Sequence, residues 1–334
     1  MKRNSRPLLL NMLILAALVV LSVAVGSVFI PPATVLQALF QPGSVNPTYA
    51  TILWDLRIPR TLLIILAGAA LSGSGCAYQG LFRNPLADPY LIGAASGAGL
   101  GAVLVFSLHW PTSLLGFLTV PVAAFFGSIF SVLIVFNLAR VGKTTPITTL
   151  ILAGVAVSSF TTALTSYLLI NSTGDLRRSL VWLVGGSTMT GWMPVVSCLP
   201  YILVGLGILL TLGHQLNVIQ FGDEQARQLG VRVPLVRTFV ILGATLTTAA
   251  AVAFTGIIGF VGLIIPHIMR NLWGSDYRRL IPLSIIGGAS FLLVADILAR
   301  ILMAPQEVPV GIITALAGAP FFLFILRKSK ISYW

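Results

Sequence analysis

"LVRTFVILGATLTTAAAVAFTGIIGFVGLIIPHIM" (residues 235–269) is thirty-five residues of almost unbroken apolar sequence. As one helix it would measure about 52 Å, at roughly 1.5 Å per residue. A bilayer core is about 30 Å thick, so one crossing would need more tilt than ordinary spans show. Its second half, continued to "TGIIGFVGLIIPHIMR" (255–270), carries Gly256, Gly259, Gly262 and Pro266, residues that punctuate a helix. The stretch therefore divides at about 255 into one full span and one short span.

The whole chain supports that frame. Hydrophobic residues make up 57% of the 334 and charged residues 8%, with a mean hydropathy of +1.00. A soluble domain could not cover its core with so few charges, so the composition is that of a polytopic membrane protein. Apolar segments recur at 8–30, 61–81, 90–108, 114–138, 147–170, 195–212, 235–255, 256–269, 280–303 and 309–326. The expected fold is an all-α integral membrane protein of about ten spans. The basic amino terminus precedes a 23-residue apolar run, Leu8 to Ile30. That exceeds the roughly 7–15 residues of a signal-peptide core, so it is expected to stay as a first span.

The basic residues test the division. With ten spans and both termini inside, the inner side holds Lys2, Arg3, Arg6, Arg83, Arg140, Lys143, Arg227, Arg232, Arg237, Arg270, Arg278, Arg279, Arg327, Lys328 and Lys330. Arg57, Arg60, Arg177, Arg178 and Arg300 fall outside, five of the 20. An undivided 235–269 splits the 20 evenly, which the positive-inside bias disfavours. The net charge of +12 is then a membrane signature and not a nucleic-acid footprint. Gly93, Gly97 and Gly101 repeat every four residues, as do Gly68, Ser72 and Cys76, a spacing that lets helix backbones approach closely.

Catalytic sets are missing. "NLARVGKT" (137–144) ends like a phosphate-binding loop, but Asn137 replaces its first glycine and a span, not a strand, precedes it. His109, His214 and His267 fall at three separate membrane edges, so no metal site is expected. Cys76 and Cys198 sit in apolar runs with neither disulfide nor metal-ligand spacing. Asp296 is the one acid well inside a span; Arg300 lies four residues on and forms an intrahelical pair with it more simply than an ion relay. An intramembrane enzyme therefore lacks its acid–base or nucleophile constellation.

"FGDEQARQLG" (221–230) is the polar exception. Asp223 and Glu224 open a helix with Arg227 at i+4 and i+3, Ala226 and Leu229 give a narrow apolar face, and Gly230 sits where a helix end favours glycine. With "GHQLNVIQ" (213–220) it makes a cytoplasmic loop, 213–234, longer than a tight connection needs. A solvated linker helix and a contact for another subunit both remain open.

"LRIPRTLLIILAGAALSGSGCAYQGLFRNPLADPYLIGAASGAG" (56–99) resembles the signature segment of the FecCD family, permease subunits of importers for iron–siderophore complexes, heme and cobalamin. "FGDEQARQLGV", "TGIIGFVGLIIPHIMR", "GSDYRRLIPLSIIGGASFLLVADILAR" and "EVPVGIITALAGAPFFLFIL" continue the likeness from about residue 50 to 326. The resemblance implies one transmembrane permease domain over 1–334 with a type II ABC importer permease fold, in the bacterial cytoplasmic (inner) membrane. It implies a second permease subunit, two ATP-binding-cassette ATPase subunits carrying ATP and magnesium, and an extracytoplasmic substrate-binding protein. No cofactor is implied for this chain, and its cargo would be an iron–siderophore first, cobalamin or heme next.

The resemblance also implies roles. Phe221, Gly222, Asp223, Glu224, Ala226, Arg227, Leu229 and Gly230 would contact the ATPase. Arg57, Arg60 and Arg300 would meet acidic residues of the binding protein, with snorkelling at the membrane edge as the other reading. Asn84, with Ile147 and Thr148 as a looser match, would lie at the cytoplasmic gate. A stand-alone secondary carrier or channel is the rival class, distinguished by having no ATPase or binding-protein gene beside it.

Overall fold

The computed structural model describes residues 6–26, 30–41, 46–108, 116–142, 145–172, 176–186 and 190–331. His109 and Lys143 lie outside them, as do Lys2 and Arg3. Each of the ten apolar segments holds one helix: α1 (Arg6–Ala24), α4 (Ile58–Phe82), α5 (Ala94–Ser107), α6 (Thr119–Leu138), α7 (Ile147–Ile170), α9 (Trp192–Thr211), α12 (Val233–Thr255), α13 (Val261–Trp273), α14 (Tyr277–Ile301) and α15 (Val310–Ile331). Seven described helical segments are long and apolar enough to cross a membrane by themselves; α5, α13 and α15 are not among them. Between these lie the shorter α2 (Pro32–Phe40), α3 (Pro47–Thr51), α8 (Leu176–Leu183), α10 (Gly213–Ile219) and α11 (Asp223–Gln228).

The division of 235–269 falls where the glycines place it. Helix α12 stops at Thr255, and Gly256 follows with φ +75°. Phe260, with φ +70°, precedes α13 and occupies the space against Gly318 of α15 that a side chain there would need. Pro266 plays no part in the break; it lies inside α13.

The bundle is built around α4. Twenty of its twenty-five residues are buried, because its small residues let α12, α13 and α14 close on it. A β-carbon on Gly68 would strike the Gly288 carbonyl, and one on Gly75 the Gly262 carbonyl. In lipid, where helices gain nothing by hiding apolar surface from each other, such backbone approach supplies the van der Waals contact that holds them. Gly97 and Gly101 meet Gly127 and Ala123 of α6 in the same way, whereas Gly93 has φ +85° and forms the turn into α5.

Buried polar groups pair between helices. The Ser74 and Thr247 hydroxyls lie 2.7 Å apart, and the Gln79 amide donates to the Gly262 and Leu263 carbonyls. Arg270 donates to Gln79 Oε1 at 3.0 Å. At the entry to α14, the Asp276 carboxylate accepts from the Arg278 amide and guanidinium and from Asn217 Nδ2 at 2.6 Å. The Arg278 bonds hold its carboxyl well below the usual carboxylate range. A depressed folded value means that this contribution is present above about pH 4 and lost as pH falls below it. Asp276→Ala is expected to lower stability by about 1 kcal/mol near neutral pH. The difference from the parent should shrink on acidification, read by thermal unfolding in detergent.

Candidate coupling and docking sites

Helix α4 runs for twenty-five residues, about 37 Å. Arg57 and Arg60 stand at its start and Arg83 at its end, so the two groups of candidate residues lie at opposite ends of the bundle.

At the Arg83 end, α10 and α11 form the loop 213–234. Helix α11 starts at Asp223 after Gly222, whose φ of +110° suits glycine. It ends with Gly230 at φ +82°, and the Val231 amide returns to the Ala226 carbonyl at 2.9 Å, the paired closure that a left-handed glycine permits. The expected helix is there, but its pairing differs. Asp223 makes its ion pairs with Arg237 at 3.0 Å and Arg83 at 3.5 Å, and among the described residues Arg227 has no ion-pair partner. Ala226 and Leu229 differ in exposure: Ala226 is fully buried, while Leu229 is 66% and Phe221 70% exposed. Glu224 and Arg227 are exposed as well. Asp223 and Ala226 thus fasten α11 to the chain's own body, while Phe221, Glu224, Arg227 and Leu229 face outward.

Two further loops reach this end. Asn84 follows Arg83; its Oδ1 accepts from the Leu86 amide at 2.9 Å, closing a turn before α5. Ile147, half-buried, and Thr148, exposed, begin α7 directly after Thr145 and Pro146. Arg237, buried near the start of α12, donates to the Thr145 carbonyl as well as to Asp223. Sequence reading placed Arg237 and Arg83 only as inner-side cations. The available signal was a charge inside an apolar segment, which usually has a partner.

At the other end, Arg57, Arg60 and Arg300 separate. Arg57, 7% exposed, donates to the Val23 and Ala24 carbonyls at 2.8 and 2.9 Å. Arg300 donates to the Ser22 and Val25 carbonyls and to the Ser22 hydroxyl. Both guanidiniums therefore satisfy the C-terminal carbonyls of α1, where a helix end carries partial negative charge. The carbonyls of α1 thus take up both guanidiniums within this chain, leaving them little exposed surface. A π-helical turn at Ile52–Arg57 aims Arg57 at α1 and leaves the Trp54 carbonyl to accept from the Trp192 indole at 3.0 Å. Arg60 alone of the three keeps a part-exposed guanidinium, 31%, between Asp296 at 2.9 Å and the exposed Glu307 at 2.7 Å. Asp296 does pair with Arg300 at i+4, 3.0 Å, and Arg60 completes a triad that spacing along one helix could not show.

Residues 14–328 match the FecCD transport family. The chain belongs to that family. Among its FecCD relatives, the cobalamin import system permease protein BtuC of Halobacterium salinarum is 41% identical over 301 residues, 90% of this chain and 80% of its own. The hemin transport system permease protein HmuU of Yersinia pestis is 40% identical over 290 residues, 86% of each chain. A solved structure described as an inward-facing conformation of a metal-chelate type ABC transporter superposes with a TM-score of 0.81 at 31% identity, covering 97% of this chain and 99% of that one. This FecCD chain is a permease subunit of an ABC importer and a multi-pass protein of the cytoplasmic membrane. It is a transport component and not an enzyme, and it works with ATPase subunits and a substrate-binding protein.

Proposed function

We propose that this permease imports a metal chelate, with an iron–siderophore complex as first assignment and cobalamin or heme next. It works as one half of a homodimer above two ATPase subunits that hold ATP and magnesium, and itself binds no cofactor. The relatives' names, for cobalamin, hemin and Fe(3+) dicitrate, are all of metal complexes, the last of them a ferric chelate. On the extracytoplasmic side, Arg60 with Glu307 is the reachable part of the outer charge cluster and the proposed contact for the binding protein.

The observation that carries the coupling role is the two-sided character of α11. Asp223 and Ala226 pin α11 to the body of the chain, while Phe221 just before it and Leu229 at its end stay exposed. Two large apolar side chains exposed at the two ends of a fixed, otherwise polar helix suit a partner's apolar surface. Phe221→Asp together with Leu229→Asp is expected to cut ATPase co-purification by about thirtyfold or more, as loss of a central apolar anchor does. Stability should stay at parent level because both side chains are exposed. ATPase retention at parent level would show that the loop is a linker.

Transport is tested in proteoliposomes containing this chain with the ATPase and binding protein encoded beside its gene. ATP-dependent accumulation of a labelled ferric siderophore, cobalamin or hemin is expected. Accumulation driven by an ion gradient without the ATPase would place the chain among secondary carriers.

A further inference from the structure

The ends of α4, α11 and α12 meet at one carboxylate. Asp223 Oδ2 accepts from Arg237 Nη2 at 3.0 Å, and Oδ1 lies 3.5 Å from Arg83 Nη2. Each arginine belongs to, or holds, a different loop. Arg83 immediately precedes Asn84 in the connection from α4 to α5. It has φ +51°, a left-handed conformation that a non-glycine residue adopts only when its surroundings hold it there. Arg237 donates its other terminal nitrogen to the Thr145 carbonyl, two residues before α7 begins at Ile147. Its guanidinium is buried, and among the described residues Asp223 is its one ion-pair partner while its Nε makes no hydrogen bond.

We propose that Asp223 is a positioning residue that ties α11 to both gate loops, through Arg83 to the Asn84 loop and through Arg237 to the Thr145–Thr148 segment. This rests on the coupling and gate roles stated above. The 3.0 Å hydrogen bond from Arg237 to Asp223 is broken by a separation of an ångström or so, so α11 cannot shift alone without parting the buried Arg237 from its carboxylate. A displacement of α11 by the ATPase is thereby passed to the two loops at once. The Asp223 carboxylate serves as the joint, while Phe221 and Leu229 serve as the handle.

The experiment uses the full complex of this chain, ATPase and binding protein in lipid. It compares Asp223→Asn, Asp223→Glu and Arg83→Gln by the ratio of chelate transported to ATP hydrolysed. Spin labels at Asn84→Cys and Thr148→Cys report the loop-to-loop distance with and without nucleotide. Asp223→Asn is expected to lower the ratio by about tenfold, within the range of ordinary coupling energies, and to abolish the nucleotide-dependent change in distance. Asp223→Glu should restore most of both, and Arg83→Gln, which cuts one of the two ties, should give an intermediate value. A ratio and a distance change at parent level in Asp223→Asn would overturn the proposal. So would Asp223→Glu behaving no better than Asp223→Asn. If Asp223→Asn fails to assemble, Arg83→Gln decides, and a parent-like ratio there overturns it. Failure of the importer reading is separate: the parent complex itself would then take up no chelate with ATP.

Discussion

Asp296→Ala is expected to destabilise the bundle by roughly 3–5 kcal/mol, the usual consequence of removing one member of a buried ionic group. Asp296 is fully buried, with Arg300 at 3.0 Å and Arg60 at 2.9 Å. Its loss removes the one ion-pair partner that the buried Arg300 has among the described residues. The damage should spread to α1, because Arg300 is positioned by Asp296 to hold the Ser22 and Val25 carbonyls. Glu307→Gln removes the exposed partner of the same Arg60 and should cost no more than about 1 kcal/mol. Thermal unfolding of the purified permease in detergent distinguishes them. Equal shifts for the two variants would refute the assignment of Asp296 as the centre of the cluster.

Gly75→Val is expected to prevent the native bundle from forming. A β-carbon at residue 75 would overlap the carbonyl group and Cα of Gly262, which are backbone atoms that cannot rotate away. Separating α4 from α13 to make room would also pull Gln79 from the Gly262 and Leu263 carbonyls. Overpacking alone costs about 1–3 kcal/mol where side chains can adjust, and here the obstacle is main chain. The matched control is Gly207→Val in α9, where a β-carbon would have nothing within 4 Å. It should behave as the parent does in yield, size-exclusion profile and unfolding temperature. Recovery of monodisperse Gly75→Val protein at parent yield would mean that the α4–α13 contact is looser than the structure shows.

These two sites were legible in the sequence to different degrees. The four-residue spacing of small side chains announced close helix contacts around Gly68 and Gly97, and the structure supplied their partners, Gly288 and Gly127. The Asp296–Arg300 pair was also readable, since i and i+4 meet on any helix. Arg60 was not, because it joins them from 236 residues away. The same limit misplaced Asp223: local spacing pairs it with Arg227, but the folded chain offers Arg83 and the buried Arg237. A buried cation has the greater need of an anion, because water cannot solvate it, whereas Arg227 is exposed and satisfied by solvent.

By itself the sequence determined the all-helical membrane class, the ten apolar segments, the break at Gly256 and the short helix between Gly222 and Gly230. Each follows from hydropathy, length or glycine placement, properties that act within a few residues or sum along the chain. Only the tertiary structure decided that Arg57 and Arg300 close the end of α1 and that Arg60 keeps a reachable guanidinium. It also decided that Asp223 joins α11 to the loops before α5 and α7. Charges inside an apolar bundle must find partners wherever the packing brings them, and that choice is made by helices far apart in the chain.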